Sequence, residues 1–217
     1  MDQQSFNMYN LSYFKEPDSE KVIGFMHAHS FVTLCGCSAN GSPVATQVPL
    51  LISNNGDNLR FRGHFMRKTD HHLAFEENPN VLVLFTGGHE YVSASWYSDP
   101  AQASTWNYMS VHARGTLHFT DEQELIEVLR DTTSRYENNP HSPASFDNLS
   151  HDYVNKLIKA IIGFTIEVKE IDNVFKLSQN RDHSSFNNII TKLTEKGGDG
   201  AIIAREMKER EEELYRK

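Results

Sequence analysis

Residues 108–119 alternate along the chain. Met109, Val111, Ala113, Leu117 and Phe119 fall on one face, and Tyr108, Ser110, His112, Arg114 and Thr116 on the other. A period of two predicts a half-buried strand. Its second face mixes rings with hydrogen-bond donors, as a site for a flat, polar-edged ligand would. An amphipathic strand at a subunit interface would show the same pattern. This strand closes the stretch 91–119, which holds both tryptophans, Trp96 and Trp106, around the polar loop 98–104.

Upstream, the pattern gives strands joined by tight turns. Asp18 is placed to cap a helix whose apolar stripe is Val22, Ile23 and Met26. Residues 31–38 read as a strand, Asn40-Gly41 as a hairpin turn, and 44–52 as the return strand. Pro49 interrupts that strand; with no N–H to donate, it implies a bulge or an edge. A second turn, Asn54-Asn55-Gly56-Asp57, leads into a third strand. There Leu59, Phe61, Gly63 and Phe65 share one face and Arg60, Arg62 and His64 the other. Thr69 or Asp70 caps a short helix through Glu77, closed by Asn78-Pro79. Residues 81–86 are continuously apolar, hence a central strand, and Gly87-Gly88 marks a turn or a close backbone approach.

Downstream, Thr120 and Gln123 form a capping-box pattern for a helix reaching about Tyr136. A polar loop with two prolines precedes a helix over about 151–161. Phe164, Ile166 and Val168 alternate with Thr165, Glu167 and Lys169 in a strand over 163–171, and 173–177 continues it after a turn. Ser184 or Ser185 caps a helix carrying Phe186, Ile189, Ile190 and Leu193. The glycines of 197–200 predict a flexible break before a mostly charged last helix. Near the start, Phe6, Tyr9, Tyr13 and Phe14 mark an aromatic arm. About seven strands with hairpin signals and helices at the ends predict a mainly β, α+β fold, a small barrel with peripheral helices. Residues 1–217 read as a single domain with a helical extension over about 184–217.

Composition narrows the function. Twenty-nine acidic residues against 21 basic ones do not favour a long nucleic-acid footprint, which needs many phosphate-neutralising cations. No apolar run approaches a membrane span. The first ten residues lack a basic n-region and an apolar h-region, so no secretory signal is expected and the reading is cytoplasmic. Cys35 and Cys37 point to the same strand face, where a bridge would be strained, and read as free thiols.

No phosphate-binding glycine loop, dinucleotide fingerprint or nucleophile elbow occurs. His27, His29, His71, His72 and His89 lack the company of a metal motif, and no metal is expected. Arg67 and Lys68 stand just before a predicted helix N-terminus. Free backbone N–H groups and two cations there make a phosphate site; plain surface charge is the competing reading. His112 lies mid-strand among rings and donors, as a proton carrier or as a satisfied half-buried histidine. A polar knot, Lys176 to Arg181, ends the last strand. A planar cofactor with a phosphate tail would match all three features.

The strings S-W-Y (95–97), T-W-N-Y-x-x-V-H (105–112) and F-K-L-S-Q-N (175–180) are specific. With segments 30–51, 59–68, 81–97 and 161–171, they resemble the PaiB-like family of flavin-mononucleotide (FMN)-binding negative transcriptional regulators. The resemblance implies a split β-barrel of the FMN-binding, pyridoxamine-phosphate-oxidase-like type, a homodimer with FMN at the subunit interface. The family's G-H-x-x-R string falls on Gly63, His64 and Arg67; with Arg62, Lys68 and Thr69 beside them, these make one part of the expected FMN site. Trp106, Asn107, Tyr108 and His112 make a second, with Trp106 against the ring. Lys176, Ser178, Gln179 and Asn180 make a third, Gln179 sharing the ring's polar edge with Asn107. One departure stands out: after Arg67 the family often shows Asn and Trp, where this chain reads Lys68-Thr69-Asp70-His71-His72.

The resemblance implies an FMN-binding regulatory protein. The alternatives are an FMN-dependent oxidoreductase reduced by a nicotinamide, with His112 or Tyr108 as proton donor, and a haem-binding split barrel. Direct DNA binding is implied only by the family's name. The sequence offers it no helix-turn-helix pattern and no basic stripe.

Overall fold

The alternation resolves into seven strands. The computed structural model describes residues 9, 11–55, 58–139 and 141–216. Helix α1 (Ser19–Ala28) precedes β1 (Phe31–Cys37), β2 (Pro43–Pro49), β3 (Leu51–Asn55) and β4 (Asn58–Met66). Then come α2 (Asp70–Glu77), β5 (Asn80–Val92), β6 (Thr105–Phe119), α3 (Glu122–Glu137) and α4 (His151–Ala160). The chain continues through β7 (Ile161–Lys176), α5 (His183–Lys196) and α6 (Gly198–Tyr215). Phe6 of the arm, the turn residues Gly56 and Asp57, and Pro140 lie outside the described residues. Two compact units divide the chain: Met26–Phe85 with His112–Ile171, and Met1–Phe25 with Thr86–Val111 and Asp172–Lys217. We call them the barrel unit and the helical unit. Among the described residues, no helix is long and apolar enough to cross a membrane.

All seven strands contribute to the barrel unit, in the order β2-β1-β5-β6-β7-β4-β3. The two margins, β2 and β3, are consecutive in the chain. Pro49 ends β2, as a residue without an N–H must end or edge a ladder. Only Leu50 separates the two strands, and its N–H donates to the Ser30 carbonyl at 2.8 Å. The one strand expected over 44–52 is therefore two. One pairs with β1, the other with β4. A sheet whose margins are one piece of chain is bent round on itself, which is barrel geometry. Its interior holds Leu34, Phe61, Phe65, Val83, Phe85, Leu117, Phe164 and Ile166. Phe61 meets Phe85 edge-on at 5.4 Å, and Phe65 stacks on Phe164 at 5.0 Å. Each such ring contributes about 1.5–3 kcal/mol by leaving water. Beside the barrel, α3 and α4 enclose a satellite core of Leu125, Leu129, Phe146, Ile158 and Ile161.

In the helical unit α5 and α6 bury Phe186, Ile189, Leu193, Ile203 and Met207. Gly87-Gly88 makes no turn, because β5 runs on to Val92. Gly88 instead admits α6: a Cβ there would stand 3.3 Å from Ile202. The N-terminal segment is tied down by Lys15 to Asp172 at 2.6 Å and by Arg210 of α6 to Glu16 at 2.8 Å.

Four further expectations change. Thr120 does not cap α3; its N–H donates to Gly163 at 3.0 Å, which holds it extended, and Asp121 caps instead by accepting from the Glu124 N–H. Asp182, not Ser184 or Ser185, caps α5, while Ser185 turns inward and accepts from the Ser98 N–H at 2.8 Å. No turn interrupts β7, and the break before α6 is the single residue Gly197, at φ 72°.

Candidate functional site

Between β4 and α2 the barrel unit places Arg67, Lys68 and Thr69. The Arg67 N–H donates to Ala160 at 2.9 Å and its Nε to the Ile161 carbonyl at 2.7 Å, which fixes the guanidinium plane. Lys68 sits at φ 63°, in the left-handed region. For a non-glycine residue that costs about 1–3 kcal/mol, a strain that clusters at functional sites. Its N–H donates to His72 Nδ1 at 3.1 Å. Thr69 caps α2 by accepting from the His72 N–H, and the Asp70 carboxylate takes the His71 N–H at 2.8 Å. The helix-entry donors expected to be free are thus partly spent: Asp70 and Thr69, adjacent in the chain, satisfy them first. The cations carry what anion affinity is left. Arg62 is also engaged, pairing with Asp131 of α3 at 2.7 Å.

A cleft of about 290 Å³ opens beside this turn. Thr46, Gln47, Val48 and Pro49 of β2 make one wall; His64, Met66, Thr69 and His71 contribute to the other. His64 Nδ1 is buried and meets no partner among the described residues. Burial also lowers its pKa, so the ring is neutral near pH 7. The β2 wall was not foreseen. Its only advance signal was Pro49, which marked an irregular strand without saying what it faced.

The helical unit holds the other predicted residues except His112. The Lys176 ammonium donates to Thr105 Oγ1 and to the Trp106 carbonyl, and lies 5.7 Å from the Phe14 ring centre. Burial first, then Arg181, lowers its pKa. Ser178, at φ 63°, donates from Oγ to Asn107 Oδ1 at 3.0 Å. Asn107 is wholly buried, and its Nδ2 donates to Met207 Sδ at 3.5 Å. Gln179 folds back on its own strand, accepting from the Leu177 N–H and donating to the Phe175 carbonyl. Exposed Asn180 completes this turn. Asn107 and Gln179 were expected at a ligand's polar edge, and their amides are instead spent inside the unit. Strand parity explains Asn107, which shares the inward face of Met109 and Val111. Trp106 has the opposite parity and is 52% exposed, with Tyr91 edge-on at 5.9 Å and His89 at 6.1 Å. Tyr108 is half-buried, and burial, then Tyr9, raises its pKa. His112 belongs to the barrel unit, half-buried on the polar face of β6.

Residues 8–170 match the family model described as "Putative FMN-binding domain". The chain belongs to this FMN-binding family. It is 36% identical over 186 residues to the "Protease synthase and sporulation protein PAI 2" of Bacillus subtilis, covering 86% of this chain and 89% of that one. Among solved structures, a FAD and heme binding protein from Mycobacterium smegmatis shares the fold at TM-score 0.55 and 17% identity, over 75% of this chain and 73% of that one. The flavocytochrome Anf3 from Azotobacter vinelandii does so at TM-score 0.51 and 19% identity, over 75% and 69%. These likenesses establish the fold as the split barrel of the FMN-binding family.

FMN-binding proteins must hold a dianionic phosphate and a flat ring system. The cleft offers such a ligand an orphaned imidazole nitrogen, and Arg67 and Lys68 stand in the chain between two of its lining residues, Met66 and Thr69. Gly63 serves the FMN-binding fold differently. It faces the barrel interior, where a Cβ would stand 2.7 Å from the Phe164 ring.

Proposed function

We propose that this chain binds FMN and acts as a homodimeric regulatory flavoprotein of the PaiB type. The single observation that carries the assignment to this site is His64 Nδ1, buried and unpartnered beside a cleft whose lining residues Met66 and Thr69 bracket Arg67 and Lys68 in the chain. A ligand that reaches that nitrogen removes a penalty of about 1–3 kcal/mol. In this reading Arg67 and Lys68 hold the phosphate by charge-assisted bonds, with the Thr69 hydroxyl beside them. The β2 wall borders the rest of the ligand. Bound flavin would supply a reversible redox centre, and the chain's part is to bind and orient it.

The remaining residues divide by geometry. Asn107, Ser178 and Gln179 brace the turn after β7, and Asn180 belongs to that turn. Lys176 ties the turn to the start of β6. Trp106, with Tyr91, presents ring surface outward and is assigned to the homodimer contact. Arg62 supports the barrel through Asp131 and contributes only long-range charge.

The test is a titration of the purified protein with FMN, followed by visible absorbance and flavin fluorescence. Uptake with quenching is expected, and a protein that stays colourless in excess FMN overturns the proposal. Arg67→Ala should weaken binding roughly ten-fold or more, the scale of a lost hydrogen bond to a charged group. His89→Ala should leave it unchanged, and equal losses from the two would sink the assignment of Arg67.

A further inference from the structure

The barrel unit carries a second recess, of about 460 Å³, that shares no lining residue with the cleft beside β4. Cys35 of β1 and Leu82 of β5 stand directly opposite one another in the ladder. Their side chains therefore share one face of the sheet. Together they give the recess an apolar floor. Burial pushes the Cys35 thiol up from its ordinary value, so it is neutral near pH 7 and behaves as a small hydrophobe.

The rest of the lining is charged. Arg114 comes from β6, and Lys169 and Glu170 from β7. A Cβ at Gly115 would collide with the Glu167 carbonyl. The two strands therefore run closer than a side chain would allow, which sets Arg114 beside the Lys169-Glu170 pair. Two cations against one carboxylate leave the recess positive in a chain of formal charge −8. The Arg114–Glu170 contact is 3.9 Å long, and the two side chains are 42% and 49% exposed. So loose and wet a pair contributes little, and the guanidinium can leave Glu170 for a better-placed anion at small cost.

We infer that this recess is a second ligand site for a small amphipathic anion. An apolar or aromatic body sits on Cys35 and Leu82, and its carboxylate or sulfonate is held by Arg114 and Lys169. The volume falls within the range of about 300–1,000 Å³ typical of small-molecule sites. The site is independent of flavin.

The probe is anilinonaphthalene sulfonate, a fluorescent aromatic sulfonate, titrated into the full chain. Saturable binding is expected, and occupancy should slow alkylation of Cys35 by N-ethylmaleimide in a Cys37→Ser background. Arg114→Gln should weaken the probe roughly ten-fold. Glu170→Gln should tighten it, because the competing carboxylate is gone. Opposite signs from adjacent charges mark a built anion site, since an unspecific greasy patch responds to neither. Leu82→Trp should fill the recess and abolish binding. Circular dichroism checks the fold of each variant, and exposed Lys169→Gln replaces Arg114→Gln if the latter unfolds. Binding unchanged in the charge variants overturns the inference. So does a Leu82→Trp protein that keeps the probe but changes its sedimentation, which would mean that a second copy of the chain covers this face.

Discussion

Two adjacent residues, Trp106 and Asn107, carry opposite assignments, and strand parity separates them. Asn107 is buried and doubly bonded, to Ser178 and Met207. Asn107→Ala strands the Ser178 hydroxyl and should cost about 1–3 kcal/mol. Trp106→Ala removes an exposed ring and should leave the melting temperature nearly unchanged. Thermal unfolding of the two variants checks this, and equal shifts would contradict the division. Histidine supplies a second test. Burial holds His64 and His72 below the ordinary histidine range, so the unfolded chain binds these protons more readily. The stability gained by keeping them neutral is complete above the unfolded value, about pH 6.5, and is lost as pH falls from there through the folded values. Denaturant unfolding across that window should show stability declining with acid, less steeply in His64→Gln. Identical slopes would mean that His64 is not protonated on unfolding.

At the scale of elements, local chemistry was legible and pairing was not. The faces of β4 and β6, a cap at Thr69 or Asp70 and a helix ending near Tyr136 follow from periodicity and residue type alone. What was not legible depended on partners distant in sequence. The pairing of Arg62 with Asp131, 69 residues on, is one such contact. Thr120 and Asp121 are both competent caps, and only the bond from Thr120 to Gly163 decides between them. The candidate cleft was half legible: the Arg67–Thr69 turn stood out, whereas the β2 wall had no distinctive pattern. Gly63 offers an element-level check. A side chain there meets Phe164 at 2.7 Å and Leu50 at 3.1 Å. Gly63→Val should therefore destabilise by about 1–3 kcal/mol through overpacking between β4 and β7. A variant melting like the parent would show that the ring can step aside.

For the whole molecule the open quantity is assembly. The exposed rings of Trp106 and Tyr91 form an edge-to-face pair on the helical unit. Such pairs at surfaces favour association. If the proposed homodimer forms through these rings, Trp106→Glu should yield monomer in sedimentation where the parent sediments as a dimer, and a variant that remains dimeric removes these rings from the interface. Net charge bears on a different partner. At −8 overall, the chain should gain little from duplex DNA at physiological salt, so any regulation through nucleic acid would need a local basic surface or another protein. Leu50, finally, does more than link two strands. An open sheet offers its outermost strands to any passing chain, the usual start of strand addition and fibre growth. Here the two outermost strands are successive stretches of one backbone, hinged on one residue. Cutting the chain at that hinge would give both margins free ends, so a nicked molecule should be far more prone to aggregate than an intact one.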